Sequence, residues 1–389
     1  MAASPIPVRL RIAGLLVAPA AFVLVSVWMS GWPGPIEVSA TAQTRSSVTP
    51  ITAPGWHVHL ISTADLEGPP VVVPGTEEAV ALHGNDGEEI ATQPLERVNL
   101  VSGDVGVGPR VPDDALLAIV GTSVILLAPA SYSASGVVTL PWSAWTINPM
   151  TLRPQRPRRL PFVSRFGVVI PPVENTRATS GLWISDGGEL RLVDLASGKV
   201  RRTLPIPGLD LSIDPSGRHL YVVTGTGGST TASSAYQPGT IVELDERTGL
   251  ILATSAQWTS SPQLRIAASD GGVYLLDTGR AHRSVVFLEA RNLRPVILPT
   301  ALESVLGRTL ERGEEVTTAS VDHGAVFGSP GRLTCVSSGA TSLVASTSLA
   351  PEGESWEVFG QRGETLFAWD GSATAESPRI EAITAPPLC

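Results

Sequence analysis

Residues Gly208–Ser255 read GLDLSIDPSGRHLYVVTG, then a polar loop, then GTIVELDERTGLILATS. Short Val/Ile/Leu/Tyr runs are broken by Asp214-Pro215-Ser216-Gly217 and by Asp245–Gly249, the residue types of tight turns. The stretch predicts four antiparallel strands: one ending before Asp214, then Leu220–Val223, Ile241–Leu244 and Leu250–Thr254. A sheet this small cannot bury its faces alone, so further copies are required, and such a unit is a propeller blade.

Copies are present on both sides. Leu190–Leu204, LRLVDLASGKVRRTL, repeats the strand-turn-strand half, with Asp194 and Gly198 matching Asp245 and Gly249. Ala79–Thr92, Thr146–Gln155 and Leu288–Leu298 are weaker copies. Equivalent turn positions fall near 87, 152, 198, 249, 293 and 339; after a first gap of 65, the spacings are 44–51 residues. The turn before the second strand recurs at Gly217, Asp270-Gly271-Gly272, His323-Gly324 and Arg362-Gly363. About 47 residues per blade gives seven blades over 56–389, or six if the first is incomplete. Ala115–Ala130 is uncharged, but Gly121-Thr122-Ser123 divides it, and it reads as a β-hairpin. Residues 301–312 are the one helical candidate.

Ile213–Gly225, IDPSGRHLYVVTG, followed by Gly239–Gly249, GTIVELDERTG, resembles the YVTN and PQQ-like repeat families of bacterial extracytoplasmic, WD40-like β-propellers. Gly75–Thr92, GTEEAVALHGNDGEEIAT, is similar to a PQQ-type repeat. Residues 181–300 carry the resemblance. It implies the fold and leaves the activity open, because propellers host many unrelated activities.

Composition agrees. Gly and Pro make up 71 of 389 residues, well above the usual share of about 12%, which marks a turn-rich chain. The net charge of −9 excludes a mainly electrostatic nucleic-acid binder. The 26 Arg against one Lys suggest a GC-rich genome.

Arg9 and Arg11 precede an uncharged run from Ile12 to Trp32. It approaches the ~20 apolar residues of a spanning helix and exceeds the ~7–15 of a cleavable signal. Residues 1–42 are therefore read as a signal-anchor with its short basic end in the cytoplasm. Ala40-Thr41-Ala42 offers the alternative of a signal cleaved near Ala42. Residues 43–55 form a linker, and 56–389 the propeller, outside the membrane in either case.

Cys335 and Cys389 are the only cysteines, and an even pair in an oxidising compartment favours a disulfide. His57 and His59 share a strand face, but two ligands do not make a metal site. Asn85–Glu89 lacks the full Ca²⁺-loop pattern and reads as a turn. Gly225–Thr230 lacks the ending of a phosphate loop and reads as a flexible connection. Arg153, Arg156, Arg158 and Arg159 cluster between prolines, an edge kept soluble or a contact for anionic lipid or an acidic partner. Trp183 and Trp369 fall in second strands and are expected in the core; Trp142 and Trp145 are core or interface. Asp214, Asp270 and Asp322 are the channel-side candidates for chemistry, although each lies in a turn.

The expected function is a non-catalytic binding or scaffold protein of the bacterial cell envelope, using rim loops to hold a protein or envelope ligand. No cofactor and no metal are expected, and no catalytic residue is assigned. The alternative is a propeller enzyme, either a metal-dependent hydrolase or lactonase or a quinone-linked dehydrogenase, with its site in the central channel.

Overall fold

The computed structural model describes residues 52–384 except 54–55, 64–65, 67, 84–91, 113–114, 130–139, 165–169, 171–180, 186–187, 196, 225–236, 257, 261–263, 270, 278–283, 299–316, 322–323, 330–331, 338–342, 349–355 and 371–378. The membrane segment, the helix expected over 301–312, the Asn85–Glu89 turn, the Gly225–Thr230 loop, Asp270, Asp322 and Cys389 lie outside the described residues.

The chain forms a seven-bladed β-propeller, with no helix among the described residues. β1 (Thr52–Ala53) and β2 (Trp56–Ser62) come first. Blade 1 holds β3 (Val71–Val72), β4 (Glu78–Leu82), β5 (Thr92–Asn99) and β6 (Val105–Pro112). Blade 2 holds β7 (Leu116–Val120), β8 (Ser123–Pro129), β9 (Leu140–Ile147) and β10 (Arg158–Ser164). Blade 3 shows β11 (Leu182–Ser185), β12 (Leu190–Asp194) and β13 (Lys199–Leu204) among the described residues. Blade 4 holds β14 (Gly208–Ile213), β15 (His219–Thr224), β17 (Ile241–Asp245) and β18 (Ile251–Thr254). Beside blade 4 in sequence, β16 (Gln237–Gly239) pairs with β19 (Trp258–Ser260). Blade 5 holds β20 (Leu264–Ser269), β21 (Gly272–Asp277), β22 (Ser284–Glu289) and β23 (Pro295–Val296). Blade 6 holds β24 (Thr317–Val321), β25 (Gly324–Ser329), β26 (Arg332–Ser337) and β27 (Leu343–Ser348). Blade 7 holds β28 (Trp356–Arg362), β29 (Thr365–Asp370) and β30 (Arg379–Thr384), and β2 and β1 complete it.

The closing strand corrects the sequence reading. Residues 56–62 do not open blade 1; they pair antiparallel with β30, Val58 opposite Ile383 and Leu60 opposite Glu381. Blade 1 starts at Val71, and the turn equivalent to Gly198 and Gly249 is at Gly103, not Gly87. The first turn gap then shrinks to 49 residues, in line with the others. Ala79–Thr92 joins strands two and three of its blade rather than three and four.

The apolar core is divided into seven clusters, one at each seam between adjacent blades. Strand periodicity explains this, because alternate side chains face opposite sides of a sheet. In β15, Leu220 and Val222 pack toward blade 3, while Tyr221 and Val223 pack toward blade 5. Blades are buried on both faces, so their middle strands read as continuous apolar runs rather than as alternation.

Polar side chains of the innermost strands link neighbouring blades. Asp210 Oδ2 and Ser212 Oγ in β14 accept the amides of Ile266 and Ala268 in β20, each at 3.0 Å. Thr318 donates to the Ile266 carbonyl, and Thr317 to the Trp356 carbonyl. A buried donor or acceptor needs such a partner, which accounts for Ser and Asp within otherwise apolar strands.

Candidate functional site

The turn between the third and fourth strands recurs in five blades with one geometry. Its fifth residue donates its amide to the first residue's carbonyl: Gly103 to Asn99, Leu152 to Asn148, Gly198 to Asp194, Gly249 to Asp245 and Leu293 to Glu289. All five fifth residues have positive φ, between 51° and 75°. In four of the turns the first side chain caps amides inside the loop, as Asn148 Oδ1 does for Met150 and Thr151.

Each such turn docks on the preceding blade. Leu152 lies so close to Gly108 that a Cβ there would come within 2.6 Å of it. Arg97 donates to the Met150 carbonyl at 2.6 Å. Trp183 Nε1 donates to the Glu246 carbonyl at 2.9 Å, and Arg202 to that of Thr248 at 2.7 Å. A Cβ at Gly249 would meet the Trp183 ring at 2.7 Å. The seam between blades 2 and 3 is looser: a Cβ at Gly198 would have 3.7 Å to the nearest atom, the Arg159 carbonyl oxygen.

A groove of about 520 Å³ opens at that loose seam. Its cause is local to TINPMTLRPQRPRR. Ile147 bridges Pro154, and the Gln155 amide reaches the Thr146 carbonyl. Pairing resumes at Arg158 opposite Ala144, with one residue more on the outer side. Pro157 has no N–H to contribute, so the strand bulges there. Val120 and Leu195, both half-buried, give the groove its apolar surface over the buried Ile125, Ala144 and Trp145, and Ser123, Thr146, Gln155, Arg156 and Arg158 form its polar rim.

Arg153, Arg156, Arg158 and Arg159 are exposed, and none has an ion-pair partner among the described residues. Arg191 and Arg201, in the next blade, are paired with Glu189 and Asp194. The arginine cluster is thus an edge segment, as its prolines suggested, and the groove beneath it was not legible from spacing.

A second polar cluster lies on blade 4 at its contacts with blades 3 and 5, with Asp214, Glu243 and Glu246 buried. Asp214 is in the turn before β15 and accepts the amides of Arg218 and His219 and the Ser216 hydroxyl, which is turn chemistry rather than channel chemistry. His219 Nδ1 lies 3.0 Å from Glu243 Oε1, and Glu243 Oε2 accepts the Arg291 amide at 2.6 Å. The hydrogen bond to Glu243 raises the His219 pKa against desolvation, with Asp214 adding to the rise. Glu246 is fully buried and its carboxyl has no hydrogen-bond partner among the described residues. Burial, then nearby Asp245 and Asp214, push it up to about 7. The Thr248 hydroxyl holds Asp245 below its ordinary value. Glu246 sits within the quoted repeat, but only the tertiary fold brings Asp214 beside it. It is closed to substrate and belongs to the seam.

The remaining sequence candidates disperse. His57 and His59 are exposed on β2, opposite Thr384 and Ala382. No group of three metal-ligating side chains occurs among the described residues. Trp142 and Trp145 are buried in β9 rather than displayed, Trp183 is fully buried, and Trp369 is half-buried in β29. Cys335 is buried in β26 within the seam of blades 6 and 7.

The fold is shared with solved propellers. The β-propeller domain of the Trilobed protease from Pyrococcus furiosus, described as having an open velcro topology, matches with a TM-score of 0.50 at 11% identity, over 82% of this chain and 93% of that one. BamB from Moraxella catarrhalis gives 0.47 at 10% identity, over 90% and 99% of the two chains. Acylaminoacyl peptidase from Pyrococcus horikoshii gives 0.47 at 11% identity, over 82% and 50%. The first of these likenesses defines a β-propeller and nothing narrower. No protein-family model and no curated protein matches the chain.

Proposed function

We propose that this chain is a binding propeller of the bacterial cell envelope, of the YVTN/PQQ-like type, that engages a partner protein or envelope ligand through its rim. The observation that supports this most is the seam groove of blades 2 and 3, lined by Arg156 and Arg158 with Arg153 and Arg159 next to them in sequence, all four exposed and without an ion-pair partner among the described residues. The inner-strand groups Asp210, Ser212, Thr317 and Thr318 add support, since they are engaged in holding blades together. In this reading residues 12–32 hold the propeller outside the membrane, or are lost by cleavage near Ala42, and Cys335 pairs with Cys389.

The test is site-specific photo-crosslinking in the native host. A benzophenone amino acid at position 155, an exposed groove residue, is expected to capture a defined partner that the same label at exposed Val101 does not. Native mass spectrometry of the membrane-extracted protein serves as the counter-test. A stoichiometric metal or small-molecule adduct, without a polypeptide partner, would overturn the rim-binding reading in favour of channel chemistry.

A further inference from the structure

We propose that the groove between blades 2 and 3 is a docking site for an acidic linear segment of a partner protein, one that places an apolar side chain between carboxylates. This rests on the rim-binding reading above and names its ligand.

Charge is the first argument. Residues 151–204 hold ten Arg and Lys against four Asp and Glu, a local balance of +6 in a chain of net −9. Everything else together carries −15, so residues 151–204 are a basic stretch within an acidic sequence. Its exposed Arg153, Arg156, Arg158 and Arg159 attract anions to one place. Arg156 and Arg158 stand on the groove itself, with Arg153 and Arg159 beside them in sequence, so an incoming carboxylate displaces no existing ion pair among the described residues. Guanidinium groups bind carboxylates bidentately.

The wall is the second argument. Half-buried Val120 and Leu195 give the cavity an apolar side over the buried Ile125 and Ala144, and about 520 Å³ lies within the range of ligand sites. A purely charged polymer or inorganic phosphate would leave that wall unused. A bilayer surface is flat, whereas this site is concave. A peptide that sets one leucine-sized side chain between carboxylates satisfies both the wall and the arginines.

The prolines define the mode. Pro154, Pro157 and Pro161 remove amide donors along the outer edge of blade 2, so a partner strand cannot extend the sheet there. Recognition runs through side chains. The same prolines restrict the segment before binding, which lowers the ordering cost.

The experiment measures fluorescence anisotropy of a labelled Glu-Asp-Leu-Glu-Asp peptide with the full chain in detergent at low salt. Saturable binding is expected, weakened at least tenfold by R156E/R158E and by S123W, which fills the groove without altering charge. Arg294→Glu, an exposed reversal in blade 5, is expected to leave it unchanged. Circular dichroism and the urea midpoint verify that each variant is folded. Equal binding of an all-glutamate peptide would overturn the apolar half, and with it the proposal. So would arginine-dependent binding to phosphatidylglycerol vesicles in place of the peptide. If no peptide binds, yet the crosslinked partner persists in R156E/R158E, the docking site is wrong and rim binding stands. If the partner is also missing from wild type, both readings fall.

Discussion

The fifth residue of the repeated turn shows two solutions to one backbone demand. Gly103, Gly198 and Gly249 adopt positive φ without a Cβ, whereas Leu152 and Leu293 adopt it as buried leucines. A left-handed non-glycine residue costs about 1–2 kcal/mol, while burying a leucine contributes about 1.5–3. Burial wins where the preceding blade leaves room, as Gly108 does for Leu152. At Gly249 there is no room. Gly249→Ala combines a φ of 65° with a clash against Trp183 and Arg202, and should destabilise by about 2–4 kcal/mol in urea unfolding. Glu246 sets a pH dependence at the same turn. Its folded pKa of about 7 exceeds the ordinary 4.5, so its stabilising share is full below 4.5 and is lost as pH rises through 7. His219, also raised, acts in the same direction, losing its share above its folded pKa. The urea midpoint should therefore fall between pH 5 and pH 8. Glu246→Gln should flatten that fall and gain about 1–2 kcal/mol at pH 8.

Among elements, the innermost strands hold adjacent blades in register through side chains. Ser212→Ala would remove the hydrogen bond that Ser212 Oγ accepts from the buried Ala268 amide, at a cost of about 1–3 kcal/mol measurable by denaturant unfolding. Strand assignment was largely legible in the sequence, because turn residues and apolar runs are local signals. Gly208–Ser255 gave all four strands of its blade, and 115–130 its hairpin. The misplaced turn at Gly87 has a plain cause. Asn85-Asp86-Gly87 is a strong local turn signal that competed with the true equivalent, Asn99–Gly103, in which Asn99 caps Val101 and Ser102 as Asp245 caps Thr248. The groove was half legible: the arginines and prolines were visible, but its apolar wall comes from three other strands and the next blade.

For the molecule as a whole, seven separate seam clusters replace one central core, so stability is spread around a ring whose weakest seam governs opening. A Cys335–Cys389 bond would tie the chain's end to blade 6 and should contribute about 3–4 kcal/mol for a loop of that length. Reduction should then lower the melting temperature, and Cys335→Ser should remove that response to reductant. Salt should weaken peptide docking while leaving unfolding nearly unchanged, because the seam contacts are buried and little screened. The ring is completed by Trp56–Ser62 against Arg379–Thr384. About 320 residues separate the two partners, so among the described strands one of the earliest to be synthesised is the last to be used. Until translation reaches blade 7, that strand waits, and for a moment afterwards the newest sheet offers an edge that any identical early strand fits. Dilute chains close on themselves. Crowded ones, emerging side by side, can trade their first strands and become interlocked pairs, so the yield of single rings is set by how many copies are being made in one place.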